Sequence, residues 1–508
     1  MTLRRLGFAI GAVLVLVAAG LGGAVAWVYA ASKQSTVGKL SFRNPLRIPP
    51  LLEPAVDAQG KKRFRLTLQP GASELAPGRH VETWGANGTY LGPTLRAARG
   101  DRVAVDVANH LPEATTLHWH GMRLPAVMDG GPHQLVAPGA TWSPEWTIDQ
   151  PAASLWYHPH PHGRTADHIY RGVAGLFIVD DAVSSGLPLP RDYGVDDIPL
   201  ILQDKRFAPD GLLATNPESP TGLPGLEMYG LRGDHVLVNG TFDPYLTVTT
   251  SRVRLRLLNA SNARSYNVGF ADGRAFHLIA TDSGLLPAPE PLDRVRLSPG
   301  ERAEIVAELQ PGEQVVLRSF APGLAGGFPQ ERLAGYDDEF DLLKLVAAPR
   351  LVPSPPLPPR LSHEPPITAP EGATVRTFRL SGISQINGAR MDPHRVDAPV
   401  PAGAREVWQI ENPGLPHNFH IHEVAFRILD VNGQPPPVEA GGRKDTVYLP
   451  PGSTVRLAVD FGPHADPAHP YMFHCHMLLH EDQGMMGQFV LVRPDGAPAA
   501  VARSDASV

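Results

Sequence analysis

Short segments in which apolar and polar side chains alternate recur along the whole chain. Two clear examples are residues 253–257 (VRLRL) and 455–459 (VRLAV). A period of two is typical of a β-strand with one face in a core and the other outside, so the arginines are expected on outer faces. Long amphipathic helical patterns are scarce, and glycine and proline turns separate the apolar segments. The pattern predicts an all-β protein built from β-sandwiches.

Three kinds of landmark recur in one order at a spacing of about 150 residues. An Asn-Gly pair, which signals a turn, begins at Asn87, Asn239 and Asn387, 152 and 148 residues apart. An alternating segment ending in asparagine follows each pair, at Arg102–Asn109, Arg252–Asn259 and Arg405–Asn412. A Pro-Gly pair then precedes another predicted strand, at residues 138–139, 299–300 and 451–452. This common order indicates three copies of a single domain.

The repeat predicts domains at residues 55–183, 191–348 and 371–493. Residues 349–370 are rich in proline and predict an extended linker between copies two and three. Residues 494–508 are small and polar and predict a frayed tail. The chain has 508 residues, enough for three cores, and its 50 glycines and 54 prolines agree with many turns between short strands.

The N-terminal segment predicts export from the cytoplasm. Arg4 and Arg5 precede an uncharged stretch that reaches Ser32, and Lys33 ends it. Residues 28–30 (VYA) provide a small-residue cleavage site, which favours a signal peptide within residues 1–32. The stretch is also long enough for an uncleaved anchor in the inner membrane. Either alternative places the rest of the chain in the periplasm.

Charge and cysteine content exclude several classes of protein. The formal net charge is −6 and basic runs are absent, which argues against nucleic acid as a partner. Cys475 is the only cysteine, which excludes a disulfide framework, a four-cysteine zinc site and an iron–sulfur cluster held by cysteines. No feature of the chain indicates an oligomer, so we expect a monomer.

Cys475 lies in a segment rich in metal ligands, residues 474–485 (HCHMLLHEDQGM). Four residues separate Cys475 from His480, and four more separate His480 from Met485. With His417 these residues form a set of one thiolate, two imidazoles and one thioether. These are the ligands of a blue-copper electron-transfer site. In an extended segment Cys475 points one way and its two histidine neighbours the other, so its sulfur would join one metal to a second site behind it. The alternative is a buried free cysteine among surface histidines.

Histidine pairs of the form His-x-His occupy corresponding positions in copies one and three only. Copy two has residues 267–269 (NVG) and 320–322 (FAP) at the matching positions. Ligands confined to the first and third copies predict a metal cluster where these copies meet, with copy two in a structural role. Neutral imidazole binds copper and zinc, but zinc does not explain the arrangement around Cys475. The four pairs are His118/His120, His158/His160, His420/His422 and His474/His476.

The stretches HWHG, HPHPHG, HNFHIH and HCHMLLHEDQGMMG resemble those of the multicopper oxidases, and the resemblance extends over nearly the whole exported chain. Residues 117–132, 194–207 and 254–265 are similar to the bacterial three-domain branch, above all to periplasmic copper-efflux oxidases. The resemblance implies three consecutive cupredoxin-like Greek-key β-sandwich domains and four copper ions. It implies a type 1 copper on His417, Cys475, His480 and Met485, a type 2 copper on His118 and His420, and a type 3 pair on His120, His158, His160, His422, His474 and His476.

The resemblance also implies a chemistry. A reducing substrate, either a small molecule or cuprous ion, would lose one electron at a time at the type 1 copper. Electrons would pass through Cys475 and its flanking histidines to the other three coppers, where O2 becomes two waters. Asp129 and Glu481 would supply protons from opposite sides of this cluster. Their alternative interpretation is that of surface carboxylates in polar loops.

The chain departs from the efflux oxidases beside the type 1 site. Those enzymes carry a long insert rich in methionine and histidine, whereas residues 380–387 (LSGISQIN) here are short and lack methionine. Residues 413–416 (PGLP) lack the acid and thioether that would bind a substrate copper ion. We therefore expect an open type 1 edge and laccase-like oxidation of phenolic and aromatic donors. Cuprous oxidation in copper tolerance and manganese oxidation stay open.

Two other classes of protein compete with the oxidase. A copper-free structural protein of the cell envelope, like the cell-division relatives with this fold, predicts missing ligands, and none is missing. A copper nitrite reductase or a simple electron carrier lacks four histidine pairs distributed in this way.

Overall fold

The computed structural model describes residues 32–214, 226–324 and 330–494, together with Gly23, Ala26, Tyr29, Ala30 and Gly327. The segment predicted as a signal peptide or anchor, residues 1–32, and the tail predicted at residues 494–508 lie almost wholly outside the described residues. Among the described helices, none is both long and apolar enough to cross a membrane. These helices are short: α1 (Thr165–Arg171), α2 (Ala182–Gly186), α3 (Gln330–Leu333) and α4 (Leu478–Asp482), with 3-10 turns at Ala126–Met128, Leu226–Tyr229 and Val438–Ala440.

Strands dominate the regular structure, which confirms the predicted all-β class. The first group is β1 (Asn44–Pro45), β2 (Ala55–Val56), β3 (Lys62–Ala76), β4 (Arg79–Ala86), β5 (Leu95–Ala98), β6 (Arg102–Asn109), β7 (His118–His120), β8 (Thr141–Trp142), β9 (Glu145–Thr147), β10 (Ala153–His158) and β11 (Gly175–Asp180). The second group is β12 (Asp197–Lys205), β13 (His235–Val238), β14 (Thr241–Phe242), β15 (Pro244–Thr250), β16 (Arg252–Asn259), β17 (Tyr266–Phe270), β18 (Phe276–Thr281), β19 (Gly284–Leu292), β20 (Val295–Leu297), β21 (Arg302–Glu308), β22 (Gln314–Phe320) and β23 (Phe340–Val352). The third group is β24 (Val375–Ser381), β25 (Gln385–Ile386), β26 (Ala398–Pro401), β27 (Arg405–Asn412), β28 (His417–Ile421), β29 (Ala425–Val431), β30 (Thr446–Leu449), β31 (Ser453–Asp460), β32 (Asp466–His474) and β33 (Met486–Val492).

The strands form three sandwiches, each with two sheets around one apolar core, and we call them domains 1, 2 and 3. Strand β1 comes first in the chain but joins a sheet of domain 2. Domain 1 has the sheets β2-β3-β6-β8, with β4 on β3 and β9 on β6, and β5-β11-β10-β7. Domain 2 has β14-β13-β12-β16-β21-β18-β19 and β1-β15-β23-β22-β17-β20. Domain 3 has β25-β24-β27-β31-β29 and β26-β33-β32-β28-β30. In all three the first long strand pairs in parallel with the strand that ends in the landmark asparagine, as β3–β6, β12–β16 and β24–β27.

The Asn-Gly landmarks occupy the same turn in each domain. Asn87, Asn239 and Asn387 have φ angles of 56°, 51° and 53°. Asparagine tolerates this left-handed conformation better than most residues, and its side chain can bond to nearby backbone. Each Oδ1 accepts a backbone N–H of the first long strand, at 2.7, 2.8 and 2.7 Å. The sequence landmark therefore reflects a turn that the fold uses three times.

The strands that carry the histidine pairs have equivalent partners in all three domains. His118 on β7 is in register with His158 on β10, and His420 on β28 with His474 on β32. In domain 2 the same pair of positions holds Asn267 on β17 and Phe320 on β22. Copy two therefore has the equivalent strands, but other residues stand at the positions that histidines occupy in copies one and three.

The prediction that the arginines of residues 253–257 face outward is wrong. Arg254 and Arg256 are 7% and 2% exposed, because domain 1 covers this face of the domain 2 sheet. Arg256 donates to both carboxylate oxygens of Asp197, at 2.6 and 2.8 Å, to Glu304 at 2.8 Å and to Ser154 of domain 1 at 2.9 Å. Alternation in the sequence identifies two faces of a strand, but it does not distinguish solvent from a neighbouring domain.

Candidate metal centre

All twelve residues predicted as metal ligands are buried, each with 1% exposure or less. Eight histidines from β7, β10, β28, β32 and the residues directly after them come together where domains 1 and 3 meet. His417, Cys475 and His480 form a separate group within domain 3. The structure thus brings the predicted residues into two adjoining groups that Cys475 joins through its chain neighbours His474 and His476.

Strand alternation explains why both members of a pair face the cluster. Trp119, between His118 and His120, points to the opposite side and lies in the domain 1 core, with its ring centroid 5.4 Å from that of Trp146. Ile421, between His420 and His422, lies in the domain 3 core in the same way. Successive side chains of a strand point to opposite faces, so both members of a histidine pair face the cluster and the residue between them faces the core.

Hydrogen bonds outside the cluster determine which nitrogen of each imidazole faces inward. A ring nitrogen that meets a carbonyl or carboxylate oxygen must carry the hydrogen, so the other nitrogen presents its lone pair. Nδ1 donates in this way in five rings: His118 to Asp129 O at 2.9 Å, His158 to Pro159 O at 2.9 Å, His420 to Asp445 O at 2.8 Å, His422 to Asp129 Oδ2 at 2.7 Å and His474 to Cys475 O at 3.2 Å. His120 is the exception, because its Nε2 donates to Asp445 Oδ1 at 3.0 Å.

The inward-facing nitrogens lie close to one another and carry no hydrogen, so they cannot form hydrogen bonds with each other. His120 Nδ1 and His158 Nε2 are 3.4 Å apart, and His422 Nε2 and His474 Nε2 are 3.3 Å apart. The Nε2 atoms of His118 and His420 are buried and have no hydrogen-bond partner among the described residues. Opposed lone pairs in a buried site repel each other, and a cation between them removes the repulsion. This donor set fits bound copper.

Burial keeps the imidazoles in the form that binds metal. Burial lowers the pKa of His160 and of His476 to about 3. The pKa values of His420 and His422 also lie well below the usual range, mainly because of burial and then because of the neighbouring imidazoles. Neutral imidazole is the metal-binding form, because protonation occupies the lone pair. The cluster is therefore ready for metal at any pH near neutrality.

The second group surrounds Cys475. Its Sγ lies 3.6 Å from His417 Nδ1 and 3.5 Å from His480 Nδ1. Burial raises the pKa of the Cys475 thiol to about 12 and lowers that of His480 to about 4. A thiol so deeply buried becomes a thiolate at neutral pH when a metal ion binds it. The Met485 backbone is adjacent, with Cys475 N donating to Met485 O at 3.1 Å.

Asp129 and Glu481 are buried against the cluster, each 1% exposed, so their interpretation as surface carboxylates is wrong. Asp129 contacts His118 and His422 through the bonds described above. Glu481 Oε2 lies 3.1 Å from His474 Nδ1, and its Oε1 lies 3.5 Å from His160 Nδ1. The two carboxylates therefore contact different pairs of histidines.

The expectation of an open type 1 edge is also wrong. His480 is fully buried, and its Nε2 donates to Met228 O at 2.8 Å. Met228 belongs to the 3-10 turn Leu226–Tyr229, so domain 2 covers this histidine of domain 3.

Sequence reasoning missed two residues that support the cluster, Asp445 and Arg302. Asp445 binds His120, and both of its carboxylate oxygens accept hydrogen bonds from Arg302 of domain 2. The available signal was the run of charges at residues 443–445, directly before an apolar strand. Charged residues are rarely buried without partners, so such a run beside a core strand indicates an ion pair.

Comparisons with known proteins agree with these features. Family models described as multicopper oxidase match residues 67–184 and 360–495. The chain is 42% identical to cell division protein FtsP of Sodalis glossinidius, over 88% of this chain and 92% of that protein. It is 35% identical to multicopper oxidase mco of Staphylococcus aureus, over 89% and 93%. The structure of a laccase-like multi-copper oxidase, CueO, from Ochrobactrum sp. is 38% identical, with a TM-score of 0.77 over 88% of this chain and all of that one.

Proposed function

Because the chain belongs to the multicopper oxidase family, we propose that it couples four one-electron oxidations of a reducing substrate to the reduction of O2 to water. The family implies copper as the cofactor and O2 as the electron acceptor. Bound copper supplies one-electron transfer and the activation of O2. The observation that carries the proposal is the set of buried lone pairs that face each other without hydrogens.

The proposed copper sites follow the two groups of side chains. In this proposal His417, Cys475, His480 and Met485 hold one type 1 copper. His118 and His420, whose Nε2 atoms lack partners, hold one type 2 copper. The other six histidines hold the type 3 pair, in two sets of three that the distances support: His120, His158 and His476, and His160, His422 and His474.

The chain supplies a short covalent path and proton-holding groups. Cys475 is bonded through its own backbone to His474 and His476, so electrons received at its sulfur travel a few bonds to the cluster. Asp129 Oδ1 is buried without a hydrogen-bond partner among the described residues, and both oxygens of Glu481 are buried beside His160 and His474. Such oxygens can hold a proton beside the histidines that they orient, which suits a relay.

For the donor we propose small aromatic and phenolic reductants. The Ochrobactrum sp. relative is described as active towards lignin model compounds and lignosulfonate. The buried His480 requires the donor to dock against the domain 2 turn that covers it, so electrons enter across this turn. Cuprous ion is the alternative donor, which Met228 beside the type 1 group favours because thioethers bind cuprous copper.

A copper-free role in the cell envelope is the second candidate function. The relative named cell division protein FtsP is 42% identical to this chain, more than the named oxidase of Staphylococcus aureus. A structural role, however, places no demand on inward-facing lone pairs, and eight buried imidazoles without a metal would destabilise the interface between domains 1 and 3.

The test is to load purified protein with copper and count the ions. We expect about four per chain, a blue colour from the cysteine-bound copper, and O2 uptake without released peroxide when a phenol or a non-phenolic dye is added. Cys475→Ser should remove the colour, and Met486→Leu, at the neighbouring methionine, should keep it. Colourless protein with far fewer than four coppers would refute the oxidase and leave the structural role. Activity with cuprous ion alone would favour the alternative donor.

A further inference from the structure

Arg302 of domain 2 is a fully buried arginine that joins all three domains. Every one of its N–H groups has an acceptor, which is the full capacity of a guanidinium. The bonds are Nε to Ser154 O at 3.0 Å, Nη1 to Gly300 O at 3.1 Å and to Asp445 Oδ1 at 2.7 Å, and Nη2 to Asp282 O at 2.8 Å and to Asp445 Oδ2 at 2.6 Å. These five bonds hold the planar guanidinium of Arg302 in a single orientation.

Asp445 is held on both oxygens. Oδ2 accepts from Arg302 and from Ser283 Oγ at 3.1 Å, and Oδ1 accepts from Arg302 and from Thr446 Oγ1 at 2.9 Å. Oδ1 also lies 3.0 Å from His120 Nε2. A carboxylate paired with arginine has no hydrogen to donate, so the hydrogen of this bond must come from Nε2.

We propose that Arg302 is a positioning residue for the metal cluster: it orients Asp445, which selects the tautomer of His120 that turns Nδ1 inward. The five other rings of the cluster with a defined tautomer turn Nε2 inward, and they are held by main-chain carbonyls or by Asp129. His120 alone depends on a carboxylate that another domain orients. The domain without histidine pairs thus determines which atom of one proposed ligand binds copper.

The backbone next to His120 approaches the ion pair of Arg302 and Asp445 closely. Gly121 follows His120 and has a φ of +84°. A Cβ at this glycine would lie 2.6 Å from Asp445 Oδ2 and 2.7 Å from Arg302 Nη2. Glycine here lets the chain after His120 pass directly against the ion pair.

The tautomer can be measured in metal-free protein by NMR of isotope-labelled histidine, with the His120 signal assigned by its loss in His120→Gln. In the parent we expect hydrogen on Nε2 only. Arg302→Met and Arg302→Lys should give a mixture, because Asp445 then loses its forked partner. Arg256→Lys is the matched control, since Arg256 is also a buried arginine of domain 2 that bonds Ser154 but does not contact Asp445. It should keep the parental tautomer.

Copper uptake provides the second readout, and it rests on the proposed function. Loss of a group that orients a ligand typically weakens metal binding about 10- to 100-fold. We expect this for the type 3 pair in both Arg302 variants and not in Arg256→Lys. A mixed tautomer in a protein that never binds copper would leave the role of Arg302 standing and refute the oxidase.

A double variant separates orientation from folding. Arg302→Met leaves the Asp445 carboxylate buried and unpaired, which is strongly destabilising, whereas Arg302→Met with Asp445→Asn removes both charges. The double variant should recover the melting temperature but keep the mixed tautomer, because an amide donates as well as accepts. If folded variants lacking Arg302 retain hydrogen on Nε2 alone and bind copper like the parent, the proposal is wrong.

Discussion

Domains 2 and 3 share an equivalent pair of strands but have different side chains at the paired positions that hold histidines in domain 3. Asn267 faces Phe320 in domain 2 where His420 faces His474 in domain 3, yet both strand pairs form and both cores close. Backbone pairing and apolar packing are therefore sufficient for the sandwich. Metal binding depends on side chains added to a register that the fold already provides.

The two domains also bury polar groups in opposite ways. In domain 2 the buried arginines have carboxylate partners, as Arg256 has in Asp197 and Glu304. In domain 3 the buried imidazoles are neutral, and their inward nitrogens lack hydrogen donors. A paired charge is satisfied by the protein alone, whereas an opposed pair of lone pairs is satisfied by a cation. This difference predicts which domain responds to metal.

The largest effect is expected for Cys475→Ser, because this sulfur is the only thiolate ligand in the chain. Loss of a ligand should reduce turnover by more than the ~100-fold that loss of a supporting partner costs. Absorbance and O2 uptake measure the result. Met486→Leu conserves volume beside the same site and should behave like the parent. Normal turnover in Cys475→Ser would refute the proposed electron path.

Glu481→Gln should lower turnover about 100-fold, since a positioned proton donor typically contributes that much or more. The amide keeps the shape beside His160 and His474 but cannot carry the proton. Copper content and colour should not change, which separates proton supply from metal binding. Glu411→Gln, at a carboxylate paired with exposed Arg379, is the control and should have no effect. Equal activity in both variants would remove Glu481 from the relay.

Removal of copper should loosen domains 1 and 3 and leave domain 2 unaffected. A ligand present at 1,000 times its dissociation constant stabilises the folded state by about 4 kcal/mol, and chelation removes that contribution. Hydrogen exchange should therefore accelerate on β7, β10, β28 and β32 but not on the equivalent β17 and β22. Uniform acceleration across all three domains would show that copper does not stabilise domains 1 and 3 more than domain 2.

Acid should weaken domain 2 through Glu304. Burial opposes ionisation of this carboxyl, but Arg254 and Arg256 hold its pKa at about 2, below the usual 4.5. Its contribution to stability is therefore complete above pH 4.5 and is lost as the pH falls towards 2, by about 3 kcal/mol. The free energy of unfolding of the parent should fall over this range. Glu304→Gln should be less stable at every pH, but its free energy of unfolding should fall less steeply with decreasing pH than that of the parent. An equally steep fall would contradict the lowered pKa of Glu304.

Much of the fold and site could be predicted because it depends on local pattern. The Asn-Gly turns, the strands ending in asparagine and the histidine pairs each lie within a few residues of sequence, and their order revealed the repeat. The absence of pairs at residues 267–269 and 320–322 likewise indicated which copy lacks ligands. The outward orientation of Arg254 and Arg256 and the open edge at His480 were wrong, because in both cases another domain covers the surface.

The class of the fold, the family and the kinds of metal-binding atoms follow from the amino-acid sequence alone, since periodicity, turn chemistry and ligand spacing are properties of short segments. Contacts between distant segments set which nitrogen of each imidazole faces inward, place Asp445 and Arg302 next to His120, and bring Met228 onto His480. The partners in these contacts are 143 residues apart for Arg302 and Asp445 and 252 residues apart for Met228 and His480. Hydrogen-bond direction and burial depend on which distant segments the packed domains bring together, and no local pattern encodes that choice.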